Sequence, residues 1–299
     1  MWRQILTKAG VYVNPTIQRL HIAAKDCQGL VCSDAIVDGE VIAAIPFWYC
    51  TSPIISLASP WGKQLGTHLS DVYYRIDEAQ VDFSKESLLT VVLTALSMEP
   101  HCILANYLNF LPIERESEFS LRNKLGDAMM QKLHHIQKIN DDIMKDTQIV
   151  LRYCGVNVEL DRLRRAHALC ESRCVDIPFS EEVFGGPAFV PFVDLINHGD
   201  TQNITVLLTF SDDAVQRAKR SSCANMISTK TPFYVMVLAA CSLSCDEELT
   251  YPYVDPNEEA LLYQNPLYWA LRFHFLPYSI EERIKLLGEE KSVMRKGKK

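Results

Sequence analysis

The apolar residues of this 299-residue chain are spaced for strands toward both ends and for helices across about ninety residues between them. Residues 17–24 and 29–45 are rich in β-branched side chains, turn at the dipeptide Asp38-Gly39 and stop at Pro46. From Ser84 to about Arg173 the spacing becomes helical. Met129, Leu133, Ile136, Ile143 and Val150 share one face, and Leu160, Leu163, Ala166, Leu169 and Cys170 form the apolar stripe of a helix over 158–174. Strand signals return after Gly185-Gly186, at 187–196, 204–210, 232–241 and 247–254, interrupted by a polar loop over 211–231 that carries Arg217, Lys219 and Arg220. Beyond Pro277 a short helix leads into a disordered tail. This order predicts a β-domain with an inserted helical subdomain, an α+β chain, in place of alternating βαβ units.

Composition narrows the chemistry. Twelve glycines are few for this length, and neither a G-x-G-x-x-G run nor a Walker A loop is present, which argues against Rossmann-type nucleotide binding. A net charge of -7 argues against direct nucleic-acid binding by the whole surface. Ten cysteines show no metal-ligand spacing, so no metal is expected and buried free thiols are the reading. No apolar run is long enough to span a membrane. The basic tail, Arg295 to Lys299, reads as a solvated terminus, with nuclear localisation or substrate steering as the alternative. The first 25 residues carry Arg3, Lys8, Arg19 and Lys25 without an acid, so a mitochondrial presequence stands beside a cytoplasmic or nuclear location.

Three segments carry candidate chemistry. In VPFVDLINHGDTQN (190–203), Asn197-His198 at the end of an apolar strand offers a cofactor an amide, an imidazole and backbone groups, with Asp194 and Asn203 nearby. In CDEELTYPYVDPNEEALL (245–262), Tyr251 and Tyr253 are two apart and so face one side of a strand, which Pro252 places at an edge or an end. CQGLVCSDAIVDGEVIAAIP (27–46) is strand, turn, strand.

In this order the segments resemble a SET-domain protein methyltransferase, of the branch with a helical insert that includes Rubisco large-subunit methyltransferase and the actin-histidine methyltransferase. The resemblance spans roughly 17–277. It takes in Gly29-Leu30-Val31, residues 34–46 and 87–112, the helix end at Ser172-Arg173, PFVDLINH (191–198) and DEELTYPY (246–253). It implies a SET β-fold with a pseudoknot, split by an all-helical insert and without a large C-terminal substrate domain. The units would be an extension (1–16), two parts of the SET core (17–83 and 176–277), the insert (84–175) and a tail (278–299).

The implied cofactor is S-adenosylmethionine, held by Asn197, His198 and the backbone of Gly29 and Leu30. Arg173 and Asp194 would lie at or just behind the site, and Phe275 near the adenine. Tyr253 falls on the family's catalytic tyrosine, and Tyr251 on the position that favours one methyl transfer. The implied activity is methylation of a lysine in a protein substrate, expected to be basic. A histidine acceptor and a catalytically silent binding module are the alternatives, and the oligomeric state is left open. The chain departs from the pattern at Cys27 and Asp246, where the family has glycine, and by extra residues from Tyr263 to Arg272. Aspartate tolerates a left-handed turn better than most residues.

Overall fold

The computed structural model describes residues 2–23, 25–52, 67–113, 116–175, 186–219, 227–254, 257 and 259–286. The glycine pair's first member, Arg220 and the basic tail lie outside them. Among the described residues, ten strands form one four-stranded antiparallel sheet and three two-stranded ones. The larger sheet has the order β1 (Tyr12–Val13), β4 (Val41–Pro46), β9 (Phe233–Ala239), β8 (Ile204–Phe210). All six residues of β4 are buried, as are six of the seven in β9, so these central strands read as unbroken apolar runs without alternation. Gly39, at φ +75°, supplies the expected turn before β4.

The small sheets carry the chemistry-bearing segments. Strands β2 (Ile17–Ile22) and β3 (Cys27–Cys32) form a hairpin that sets Gly29 opposite Leu20. Strands β5 (Cys174–Val175) and β6 (Ala188–Phe189) are antiparallel. Strand β7 (Asn197–His198) pairs in parallel with β10 (Thr250–Tyr251), a connection that brings sequence-distant segments together.

Helix α1 is Trp2–Lys8. Its Leu6, together with Val11 before β1, is part of the main hydrophobic cluster. Helical packing starts before Ser84. Helix α2 (Thr67–Glu78) rests on α3 (Lys85–Ser97), whose first turn is capped by Ser84 Oγ accepting from Ser87 N at 3.2 Å. Helix α4 (Ile103–Phe110) follows, then α5 (Glu118–Leu125), the 27-residue α6 (Asp127–Tyr153) and α7 (Leu160–Arg173). Helix α3 packs against α4 and α7, and the region 89–96 is buried on every side.

Three local expectations are corrected. The stretch expected as a polar loop over 211–231 opens with helix α8 (Ser211–Ala218), whose Ala214 and Ala218 pack on the sheet. The apolar run 187–196 is not one strand: after β6 comes a 3-10 turn, Val193–Leu195. Over 247–254 only Thr250–Tyr251 is strand. The extra segment Tyr263 to Arg272 holds the last residue of α9 (Ala260–Tyr263) and all of α10 (Pro266–Arg272), whose Trp269 lies in a second core with Leu133, Val254 and Phe273. A last helical stretch covers 278–286.

Candidate active site

The site is assembled where segment 246–251 is held between β3 and β7. Leu249 N donates to Leu30 O at 2.8 Å and Cys32 N to Glu247 O at 3.0 Å, while β10 continues alongside β7. Asn203 pins the same segment with both ends of its amide. Its Nδ2 donates to Glu248 O and its Oδ1 accepts from Thr250 N, each at 2.8 Å. Asp246 adopts φ +62° at the turn leading in, the left-handed conformation for which a glycine is usual.

This pairing brings Asn197, His198, Tyr251 and Tyr253 together. Tyr253 Oη donates to Ile196 O at 2.8 Å, and its backbone N donates to His198 Nδ1 at 3.3 Å. The Tyr251 and Tyr253 ring centres are 5.3 Å apart, and those of Tyr253 and His198 5.5 Å. Trp269 and Phe275 close the aromatic wall at 4.7 Å and 6.2 Å from the His198 ring. Burial pushes the His198 imidazole down to about 4, so it is neutral at physiological pH. Its Nε2 lies 3.4 Å from Asp200 Oδ1 without the alignment of a hydrogen bond. Burial also raises the Tyr251 hydroxyl well above 10, helped by its neighbour Tyr253.

Gly29 and Leu30 stand on the other side of the Asn197 amide. Asn197 Nδ2 donates to Gln28 O at 3.0 Å and Glu248 Oε1 at 2.8 Å, and it stands 3.4 Å from Cys27 Sγ. A side chain at residue 29 would meet Glu248 Oε1 at 2.8 Å and Asn197 Nδ2 at 2.9 Å, so this position requires glycine. Leu30 is fully buried. Lys25 Nζ joins the network from the hairpin turn, 2.7 Å from Glu248 Oε2 and donating to His198 O at 3.1 Å.

Arg173 and Asp194 lie behind this wall. Arg173, last residue of α7, donates from Nη1 to Asp194 O and from Nη2 to Pro112 O, both at 2.7 Å. Its Nη1 is 3.7 Å from Asp194 Oδ2. Asp194 Oδ1 accepts from Tyr107 Oη at 2.6 Å. Burial pushes the Asp194 carboxyl up to about 6, opposed by Arg173 and by the Tyr107 bond.

All the residues singled out in the sequence therefore fall in one neighbourhood, with Arg173 and Asp194 forming its rear support. Sequence reasoning missed Tyr107, Lys25, Glu248 and Trp269. Glu248 stood inside a quoted segment. Tyr107 sits at an ordinary apolar helical position and gave no signal. An open groove lined by Ile5, Lys8, Ile103, Asn106, Asn109 and Phe110 shares no residue with this site. Among the described residues no cluster of potential metal ligands and no helix long and apolar enough to cross a membrane is found.

No family model and no curated protein matches the chain. Solved structures do. The SET domain of LSMT bound to lysine and AdoHcy is similar at a TM-score of 0.62 and 17% identity over 92% of this chain. Rubisco LSMT bound to AdoMet gives 0.60 and 16% over 93%, and Rubisco LSMT bound to sinefungin and monomethyllysine 0.57 and 16% over 92%. The chain spans just over half the length of these proteins, 56% of the first. The likeness establishes the architecture. This chain has the SET-domain fold, with a helical block set into its β-core.

Proposed function

We propose that this chain is an S-adenosylmethionine-dependent protein methyltransferase acting on a lysine side chain. The observation that carries the reading is the parallel pairing of Asn197–His198 with Thr250–Tyr251, which joins an amide, a neutral imidazole and two tyrosines on a SET fold. The residues suit a sulfonium compound. His198 is uncharged and so does not oppose it, and the partly exposed rings of Tyr253 and Phe275 offer π-faces to a cation. The bound cofactor would supply a methyl group already activated for in-line displacement. Asn197, His198 and the Gly29-Leu30 backbone would hold it, with Phe275 beside the adenine.

The chain's own part is then positioning and desolvation. Tyr253, anchored to Ile196 O, would direct its oxygen toward the transferring carbon. An acceptor lysine entering beside Tyr251 and Tyr253 would lose water beside a positive charge, and both effects favour its neutral, nucleophilic form. Tyr251 would limit room for a second methyl, so the expected product is monomethyl-lysine. Mass spectrometry at early times tests this, and a predominance of trimethylated product would contradict it. The net charge of -7 suits a basic protein substrate.

One observation favours the silent-module reading. The Asn197 amide is already bonded to Glu248 and Gln28, and the His198 carbonyl to Lys25. Calorimetry with S-adenosylmethionine separates the two. Saturable binding by the folded protein is expected, and its absence would reject the enzyme. If binding is seen, Tyr253→Phe should abolish most turnover while cofactor affinity stays within about tenfold, ~1.4 kcal/mol.

A further inference from the structure

Phe192 has φ +83° and ψ -50°, a γ-turn conformation of the strained, positive-φ kind, and its ring is fully buried. A bulky residue there costs on the order of 1–3 kcal/mol and persists only if its surroundings enforce it. Leu195 N bonds Phe192 O at 3.0 Å within the turn, and the Phe192 amide itself is held by a hydroxyl from the helical block. Tyr107 Oη accepts from Phe192 N at 3.2 Å and donates to Asp194 Oδ1 at 2.6 Å. A phenol has one proton, so donating it to Asp194 leaves a lone pair facing the Phe192 amide. The Asp194 backbone is fixed in turn by Arg173, and three residues later the chain enters β7.

We propose that Tyr107 is a positioning residue for the site, clamping the strained turn and the Asp194 carboxylate so that the Asn197–His198 strand leaves the core in its binding register. This rests on the reading of that strand as a cofactor wall. The clamp is strongest with both partners in one protonation state. Tyr107 stays neutral, its hydroxyl raised well above 10 by burial and by Asp194. Asp194 accepts most strongly when ionised, because a carboxylate is a better acceptor than a carboxyl group. The charged and titratable groups around it are Tyr107 from α4, Arg173 from α7, Arg19 from β2, Tyr251 from β10 and Cys174 from β5. Of these, Arg173 and Arg19 favour the ionised form, as does the Tyr107 hydrogen bond. Removing the Tyr107 hydroxyl therefore moves the carboxyl further up, toward neutral pH.

The test is S-adenosylhomocysteine affinity by calorimetry between pH 5.5 and 8.5 (about 6 being where Asp194 titrates) for wild type, Tyr107→Phe and Asp194→Asn, with thermal unfolding over the same range. Tyr107→Phe should bind at least about tenfold more weakly than wild type at pH 8.5, where the wild-type clamp is complete, and the gap should narrow to within about threefold at pH 5.5, where wild type weakens its own clamp by protonating Asp194. Asp194→Asn should stay weak throughout and lose the acid limb seen in wild type. If Tyr107→Phe does not fold, the wild-type limb and its loss in Asp194→Asn carry the test. A deficit in Tyr107→Phe that is equal at every pH, or no deficit, overturns the proposal. Thermal unfolding reports the clamp without any ligand. The Tyr107→Phe deficit in Tm should be larger at the alkaline end, because the lost bond is to the ionised carboxyl, and a flat deficit also overturns it. Failure of wild type to bind at any pH would instead reject the cofactor reading, with the Tm comparison still deciding the clamp.

Discussion

In the four-stranded sheet, β4 pairs with β1 and β9 and all six of its residues are buried; β7 is two residues long and, among the described residues, has β10 alone as a strand partner. The first strand is held by apolar burial and a ladder. The second is held by side chains: the Asn203 amide on its partner segment, Tyr253 on the carbonyl before it, and Tyr107 on the turn leading to it. Two of the positive-φ residues, Phe192 and Asp246, flank this second region. A wall built from apolar contacts offers little chemistry, whereas a short polar pair pinned from several elements gathers amide, imidazole and phenol groups in one place. The difference between the regions is therefore one of chemistry as well as of stability, and it can be broken from either side.

The largest effect is expected in the wall. Ile45→Ala removes a fully buried branched side chain and should cost about 2–5 kcal/mol in urea unfolding, with cofactor affinity of the folded fraction unchanged. A coupled loss of affinity would show that the two regions are not separable.

Next comes a pH effect confined to the pinned region. His198 titrates at about 4 in the fold against an ordinary 6.5, so between those values the unfolded chain takes a proton the folded one refuses, and stability falls as pH drops. Asp194 titrates at about 6 against an ordinary 3.8, so the folded chain takes the proton and stability rises as pH drops through nearly the same window. Each contribution is about 3 kcal/mol, and in the wild type they offset. Asp194→Asn should therefore lose Tm more steeply than wild type between pH 6.5 and pH 4. Parallel profiles would contradict the assignment of either group.

Gly29→Ala should cost about 1–3 kcal/mol, because the new methyl would meet Glu248, Ile22 and Asn197 at under 3 Å. Unlike Ile45→Ala, it should also weaken cofactor binding, by displacing the Asn197 amide. The smallest effect belongs to Asp246→Gly. Its left-handed backbone suits glycine, so the change in stability should stay within about 1 kcal/mol, whereas Asp246→Val at the same φ should be clearly destabilising in the same unfolding assay.

The same contrast explains what the sequence made legible. Strands β4 and β9 and helix α3 follow from the length of their apolar runs and the turn residues that bound them, because burial is what holds them. Asn197, His198, Tyr251 and Tyr253 were legible as short segments in a particular order, and Asp246 as a residue that tolerates a left-handed turn. The 3-10 turn Val193–Leu195 read as strand because an unbroken apolar run carries no period that separates the two. Helix α8 read as loop because its buried face consists of small alanines between Asp212, Asp213 and Arg217. The Tyr107 clamp was not legible at all. Its bond to Asp194 joins residues 87 apart, and nothing in the α4 pattern separates this tyrosine from a core aromatic.

The central claim is that the β7–β10 pair is a methyl-transfer site, and tritiated S-adenosylmethionine tests it most directly. Wild type and Tyr253→Phe would each be incubated with a cell lysate depleted of the endogenous protein, and acid-stable label followed on denaturing gels. One or a few labelled protein bands are expected with wild type, and their loss with Tyr253→Phe. Equal labelling by both proteins, or no labelling by a wild type that binds the cofactor, would contradict it.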